Sequence, residues 1–168
     1  MSFTIENLVG IISLLFAAIG GGFALYQWRK SLQIKRAEFL DKLIDKIRFD
    51  PNISEALYYI DYNPLWYDRS FHGSDKEQNI DRLFSYLDYI CYLHSTNIIK
   101  DVDFKIFKYH IFRVLKTGDK YLWNLYHYSS KNGTPCAFQN LIEFGINNDK
   151  LPEAFTYDKT LYTKHLNF

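Results

Sequence analysis

The sequence predicts an all-α protein in which one N-terminal transmembrane helix leads into a small cytoplasmic helical bundle. Three observations carry that prediction. Residues 8–28 are 21 consecutive positions without a formal charge, mostly Leu, Ile, Phe, Ala and Gly. Beyond them, apolar residues recur every three to four positions, the period of an amphipathic helix. No stretch holds the apolar–polar alternation of a half-buried strand.

Composition narrows the function classes. The 168 residues carry 20 Lys+Arg against 19 Asp+Glu, a net charge of +1, which argues against a globally basic binder of nucleic-acid duplexes. A hydrophobic content of 48% excludes disorder as the main state. Cys91 and Cys136 are too few for a disulfide framework, and the sequence groups no zinc-type partners with them, so no metal or other cofactor is expected. P-loop, G-x-G-x-x-G, H-E-x-x-H and G-x-S-x-G motifs are all missing, and the expectation is a protein without catalytic activity.

The N-terminal segment has the length of a membrane span. At 1.5 Å per residue, residues 8–28 extend about 30 Å as a helix, the thickness of a bilayer's hydrocarbon core. Met1 to Asn7 contain no Lys or Arg and no A-x-A site follows, so the segment reads as a retained span and not as a signal peptide. Arg29, Lys30, Lys35 and Arg36 follow it directly. That basic flank predicts a short external N-terminus over 1–7 and a cytoplasmic location for everything after residue 28. Within the span, Gly10, Ser13, Ala17, Gly20 and Ala24 are spaced 3, 4, 3 and 4. Small residues so placed form a seam on one helix face, where backbones approach closely, and the expectation is a homo-oligomer.

Residues 29–49 form a basic juxtamembrane helix that prolongs the span. Positions 29–48 hold seven basic and three acidic residues, a net of +4, whereas 49–168 carry a net of −2. Arg29, Lys30, Lys35 and Arg36 are thus placed to meet anionic lipid. Leu32, Phe39, Leu40, Leu43, Ile44 and Ile47 give this helix its apolar spacing.

The bundle is expected over 50–146, and each of its elements has a signal. Asp50–Pro51 is an N-cap followed by proline at the first helical position, opening a helix to about Tyr62. Asn63–Pro64 ends it. Ser74-Asp75-Lys76-Glu77 matches a capping box. The helix it opens carries Ile80, Leu83, Phe84, Leu87, Ile90, Cys91 and His94 on one stripe. After a turn at Asn97, Asp101 or Asp103 is placed to cap a helix with Phe104, Phe107, Ile111, Val114 and Leu115 inward and Gly118 at its end. The short connection predicts an antiparallel hairpin. Two shorter helices follow, near Lys120–Tyr128 and Cys136–Phe144, with Gly145 as the stop. Residues 147–168 read as an irregular C-terminal tail.

The candidate ligand site is the loop from Asn63 to Gly73. Trp66, Arg69 and His72, joined by Arg113 or His110 from the hairpin, are residue types that stack on a base or hold a phosphate. The competing reading, which weighs more, is an aromatic plug, because loop aromatics need burial before they need a ligand. Cys91 and His94, one turn apart, read as a packing residue and a residue that caps carbonyls at the helix end or faces the hairpin turn. Asp81 and Asp88, seven apart, read as two solvated carboxylates.

Four short stretches carry a resemblance. Tyr26-Gln27-Trp28-Arg29-Lys30, Phe71-His72-Gly73-Ser74-Asp75, Ile80-Asp81-Arg82-Leu83 and Phe107-Lys108-Tyr109 resemble an uncharacterised bacterial family of single-span, membrane-anchored proteins with a cytoplasmic helical domain. The resemblance implies the bacterial inner membrane and no established chemistry. Members of that family look like small accessory genes of mobile or defence islands. The function expected is a non-enzymatic interaction or effector protein that self-associates through its span and docks a cytosolic protein partner. The alternative is a tethered sensor whose helical domain binds a nucleotide-like ligand.

Overall fold

The computed structural model describes residues 5–151, apart from Pro64, Arg69 and Thr134. The tail expected from residue 147 therefore lies outside the described residues from 152 onward. The described residues form six helices and no strand. They are α1 Ile5–Phe49, α2 Pro51–Tyr62, α3 Asp75–Ser95, α4 Asp101–Thr117, α5 Asp119–Asn132 and α6 Gln139–Asn147. Two compact units divide the chain, Met1–Leu43 and Ile44–Phe168.

Among the described residues the first unit is helix alone. Span and juxtamembrane segment run on as one element of 45 residues that ends at Phe49. Its stretch Leu8–Phe49 is long and apolar enough to cross a membrane, and its most apolar window buries nothing within the chain. Leu14, Phe16 and Ile19 are 71%, 72% and 69% exposed.

In the second unit α3 is the central helix, packed by α2, α4 and α6. Its stripe, Ile80, Leu83, Phe84, Leu87 and Ile90, is fully buried, as are Phe104, Phe107, Ile111, Val114 and Leu115 of α4. The two helices are antiparallel. His94 at the end of α3 meets Asp101 and Phe104 at the start of α4, while Phe84 lies against Gly118 at its far end. A Cβ on Gly118 would sit 2.7 Å from Phe84 Cζ, so the residue before α5 is one without a side chain.

Helix starts follow the sequence at α2 and α3, and the capping side chains depart from it after α2. Asp50 caps α2, its Oδ1 accepting from the Asn52 and Ile53 N–H groups at 3.0 and 3.4 Å. Ser74 opens α3, yet its hydroxyl caps nothing and is buried without a partner. Glu77 performs the return half of the box one residue further back. Its Oε2 accepts the Gly73 N–H at 2.6 Å, because Oε1 is held by His72. The N-cap of α4 is Lys100, not Asp101 or Asp103; Asp101 instead turns to His94.

The last two helices shift in register from expectation. α5 runs on to Asn132, with Gly133 in the left-handed region at φ 65° as its stop. α6 starts three residues later than predicted and carries Gly145 inside, because that glycine serves close packing. A Cβ there would meet Leu151 Cδ1 at 2.7 Å and Leu115 Cδ2 at 3.0 Å. Asn148 forms the C-cap of α6.

Candidate functional site

The loop between α2 and α3 gathers the predicted aromatics at the end of α4 and the start of α5. Trp66 is 3% exposed and its Nε1–H donates to the Thr117 carbonyl at 3.0 Å. Its ring meets Phe71 and Tyr121 edge-on, with centroids 5.1 and 5.7 Å away, and Phe84 of the core at 6.2 Å. Phe71 and Tyr121 are themselves buried and 5.4 Å apart. Edge-to-face rings at these separations form a packed aromatic cluster.

A polar chain threads the cluster. The Asn124 amide donates to the Tyr67 hydroxyl at 3.0 Å, which lies 3.1 Å from His72 Nε2. His72 Nδ1 lies 2.7 Å from Glu77 Oε1. One assignment satisfies all these contacts: Tyr67 O–H donates to Nε2, and Nδ1–H donates to the carboxylate. Tyr121 O–H donates to Asp81 in the same region. Burial holds the Asp81 carboxyl above its ordinary range, partly offset by that hydrogen bond. Burial and the Asp81 charge push the Tyr121 hydroxyl far up.

A Glu–His–Tyr chain has the parts of a proton relay, but Asn124, to which it leads, is 2% exposed. The rings of Trp66, Phe71 and Tyr121 pack against one another around it. The arrangement locks the loop onto α3, α4 and α5.

Of the four residues predicted to bind a ligand, three are described. Trp66 and His72 belong to the packed cluster. Arg69 lies outside the described residues. Arg113 pairs with Asp61 of α2, and its guanidinium lies 5.4 Å from the Tyr109 ring centroid. In the first unit, Gly10, Ser13, Ala17, Gly20 and Ala24 are all exposed along α1. Arg29, Lys30 and Lys35 are exposed and Arg36 partly so.

Sequence reasoning missed two carboxylate roles. Asp81 is Tyr121's acceptor, and Asp88 caps α6, with Oδ1 taking the Leu141 N–H at 2.8 Å and Oδ2 the Asn140 amide at 3.0 Å. The available signal was negative: the residues before α6, Cys136-Ala137-Phe138, supply no usual capping side chain.

An open groove of about 370 Å³ lies elsewhere, between the end of α3, the start of α4 and α6. His94 stacks on Phe104 at its wall, centroids 3.9 Å apart, with Nε2 2.7 Å from Asp101 Oδ1. That hydrogen bond draws the Asp101 carboxyl below its ordinary range. Lys108, Glu143 and Asn147 are among the other polar residues that line it. Cys91, at its floor, is buried, and burial pushes its thiol well up.

Among the described residues, fold and site together define a class: an all-helical protein with one helix long and apolar enough to cross a membrane and a helical bundle that packs an aromatic loop. The chain matches no family model, no curated protein and no solved structure.

Proposed function

We propose that the chain is a membrane-anchored interaction protein of the bacterial inner membrane, without catalytic activity, that self-associates through its span and docks a cytosolic partner through its bundle. The observation that supports this reading is the exposed apolar surface of α1. Leaving one large aliphatic or aromatic side chain in water forgoes about 1.5–3 kcal/mol, and α1 exposes more than ten of them. A bilayer removes that cost. The basic flank after Trp28 favours an external N-terminus, and the Gly10–Ala24 seam favours contact between spans. The setting we propose is phage defence, on the strength of the family resemblance of the four short stretches.

The test compares cells expressing the full chain with cells expressing residues 29–168. The full chain is expected in alkali-washed membranes and the shorter chain in the soluble fraction. Growth arrest and dye entry with the full chain alone would support an effector acting on the membrane. Leucine at Ala17 and Gly20 is expected to lower the mass of the detergent-extracted particle. An unchanged mass would remove the seam from the account.

The ligand-sensing reading draws on the groove beside His94, since Trp66 and His72 of the aromatic loop are buried. Its test is calorimetric titration of nucleotides into the detergent-solubilised chain and into His94→Ala. Heat of binding that the substitution leaves unchanged would exclude this groove.

A further inference from the structure

The groove beside His94 joins an apolar floor to a rim of both charges. Phe144 and buried Cys91 lie at the floor, the Phe144 ring edge-on to Phe104 at 5.1 Å and stacked on Phe112 at 6.0 Å. On the rim stand the exposed carboxylates of Asp101 and Glu143 and the half-buried Lys108. Such a rim selects no free ion of one sign. It suits a stretch of polypeptide that carries rings and both charges.

The chain leaves α6 beside this groove. Asn147, the last residue of α6, and Asn148, its C-cap, both line it. The backbone then turns back onto the bundle, where the Lys150 and Leu151 N–H groups donate to the Gly145 carbonyl at 2.9 and 3.2 Å. Lys150 Nζ lies 5.1 Å from the Phe112 ring centroid, and Leu151, 2% exposed, packs against Gly145. The chain is thus delivered to α4 near Phe112, and Lys108 and Asp101 follow from there towards the far end of the groove. From Leu115 back to Asp101, α4 rises about 21 Å. About seven residues of polypeptide can cover that length. Seventeen residues, 152–168, continue from Leu151 outside the described residues, and they include Phe155, Tyr157, Leu161 and Tyr162 with Glu153, Asp158 and Lys159.

We propose that segment 152–168 of the same chain covers this groove, with its aromatic side chains over Phe144 and Cys91 and its charges against the rim. Attachment at Leu151 presents the segment to the groove at an effective concentration on the order of millimolar, so modest contacts suffice to seat it. A free peptide of equal affinity has no such advantage. The segment then acts as a strap, and any ligand or partner that uses the groove has to displace it. This inference goes beyond the proposed function, since neither the span nor its self-association enters it.

The experiment uses the full chain in detergent with Cys136→Ser. Nitroxide labels are placed at Thr160→Cys in the segment and at Glu143→Cys on the groove rim, or at Thr160→Cys and Tyr126→Cys on α5; buried Cys91 stays unlabelled. Label-to-label distances are read by pulsed electron resonance, with and without an excess of unlabelled chain. The pair 143–160 is expected to give one short, narrow distance that survives dilution and is shorter than that of 126–160. Serine at Phe155, Tyr157, Leu161 and Tyr162 together is expected to broaden it severalfold. A distribution that is already broad in the unsubstituted segment overturns the proposal and leaves the groove to a separate ligand or partner. A short distance lost on dilution also overturns it and assigns the groove to the segment of a second copy. A narrow distance that the four serines leave unchanged, or one shorter to 126 than to 143, overturns it by seating the segment elsewhere. Dilution removes distances between chains, so self-association through the span can fail or hold without deciding this result.

Discussion

Asp88, in the second half of α3, caps α6 across 53 positions of sequence: its Oδ1 accepts the Leu141 N–H at 2.8 Å. Leu141 is the third residue of α6, whose first-turn N–H groups have no acceptor within the helix. The same carboxylate binds the Asn140 side chain, so the central helix holds a nine-residue helix that is too short to stand alone. Asp88→Ala is expected to destabilise the bundle by about 1–2 kcal/mol, the range for a lost cap. Asp88→Asn, which keeps an acceptor, should cost less. Urea unfolding of the full chain in detergent, followed by far-UV circular dichroism, measures both. Equal losses for the two would mean that charge and not the hydrogen bond holds α6.

Trp66 gives the plug its own test. A ligand-stacking tryptophan can be removed with little effect on folding, whereas one buried among Phe71, Phe84 and Tyr121 cannot. Trp66→Ala is expected to cost about 3–5 kcal/mol and to strand the Thr117 carbonyl. A melting temperature within a degree or two of the unaltered protein's would contradict the packed arrangement.

His110 introduces a pH dependence. Burial, and then the nearby Arg48, lower its pKa from the usual 6.5. The unfolded chain thus binds this proton more readily than the folded one. Stability from this group is fully present above pH 6.5 and is lost as the pH falls below it. The loss cannot exceed about 1.4 kcal/mol per pH unit for a single proton. Unfolding midpoints measured from pH 7.5 down to 5.5 should decline for the natural chain and decline less for His110→Gln. Parallel slopes would assign the acid sensitivity to another group.

What the sequence made legible was local. The α2 start was readable because Asp50 and Pro51 act on the backbone within three residues of themselves. The α3 and α4 cores were readable because helical spacing alone puts Phe84, Leu87, Phe104 and Phe107 on inward stripes. The roles of Asp81 and Asp88 were not, since their partners lie 40 and 53 positions away and no short-range pattern encodes them. The surroundings of the described ligand-site residues were not legible for the same reason. Trp66 and His72 are near in sequence and in space, but Arg113 is bound by Asp61, a residue that loop composition gave no cause to weigh.

Gly145 shows how a local signal misleads when a distant contact sets the residue. Glycine after an apolar run reads as a helix stop, yet α6 continues to Asn147. The chain then folds back, with the Lys150 N–H donating to the Gly145 carbonyl at 2.9 Å, and Leu151 packs where a side chain would stand. In an open helix interior, Gly→Ala stabilises by roughly 0.5–1 kcal/mol. Here the added methyl would lie 2.7 Å from Leu151 and 3.0 Å from Leu115, and overpacking of that kind costs about 1–3 kcal/mol. Gly145→Ala is therefore expected to destabilise. Combined with Leu151→Ala, the same change should cost less than it does alone, because the double variant removes the nearer clash. A double-mutant cycle of urea midpoints measures the coupling. Strict additivity would mean that Leu151 moves aside freely, and that glycine at 145 serves Leu115 instead.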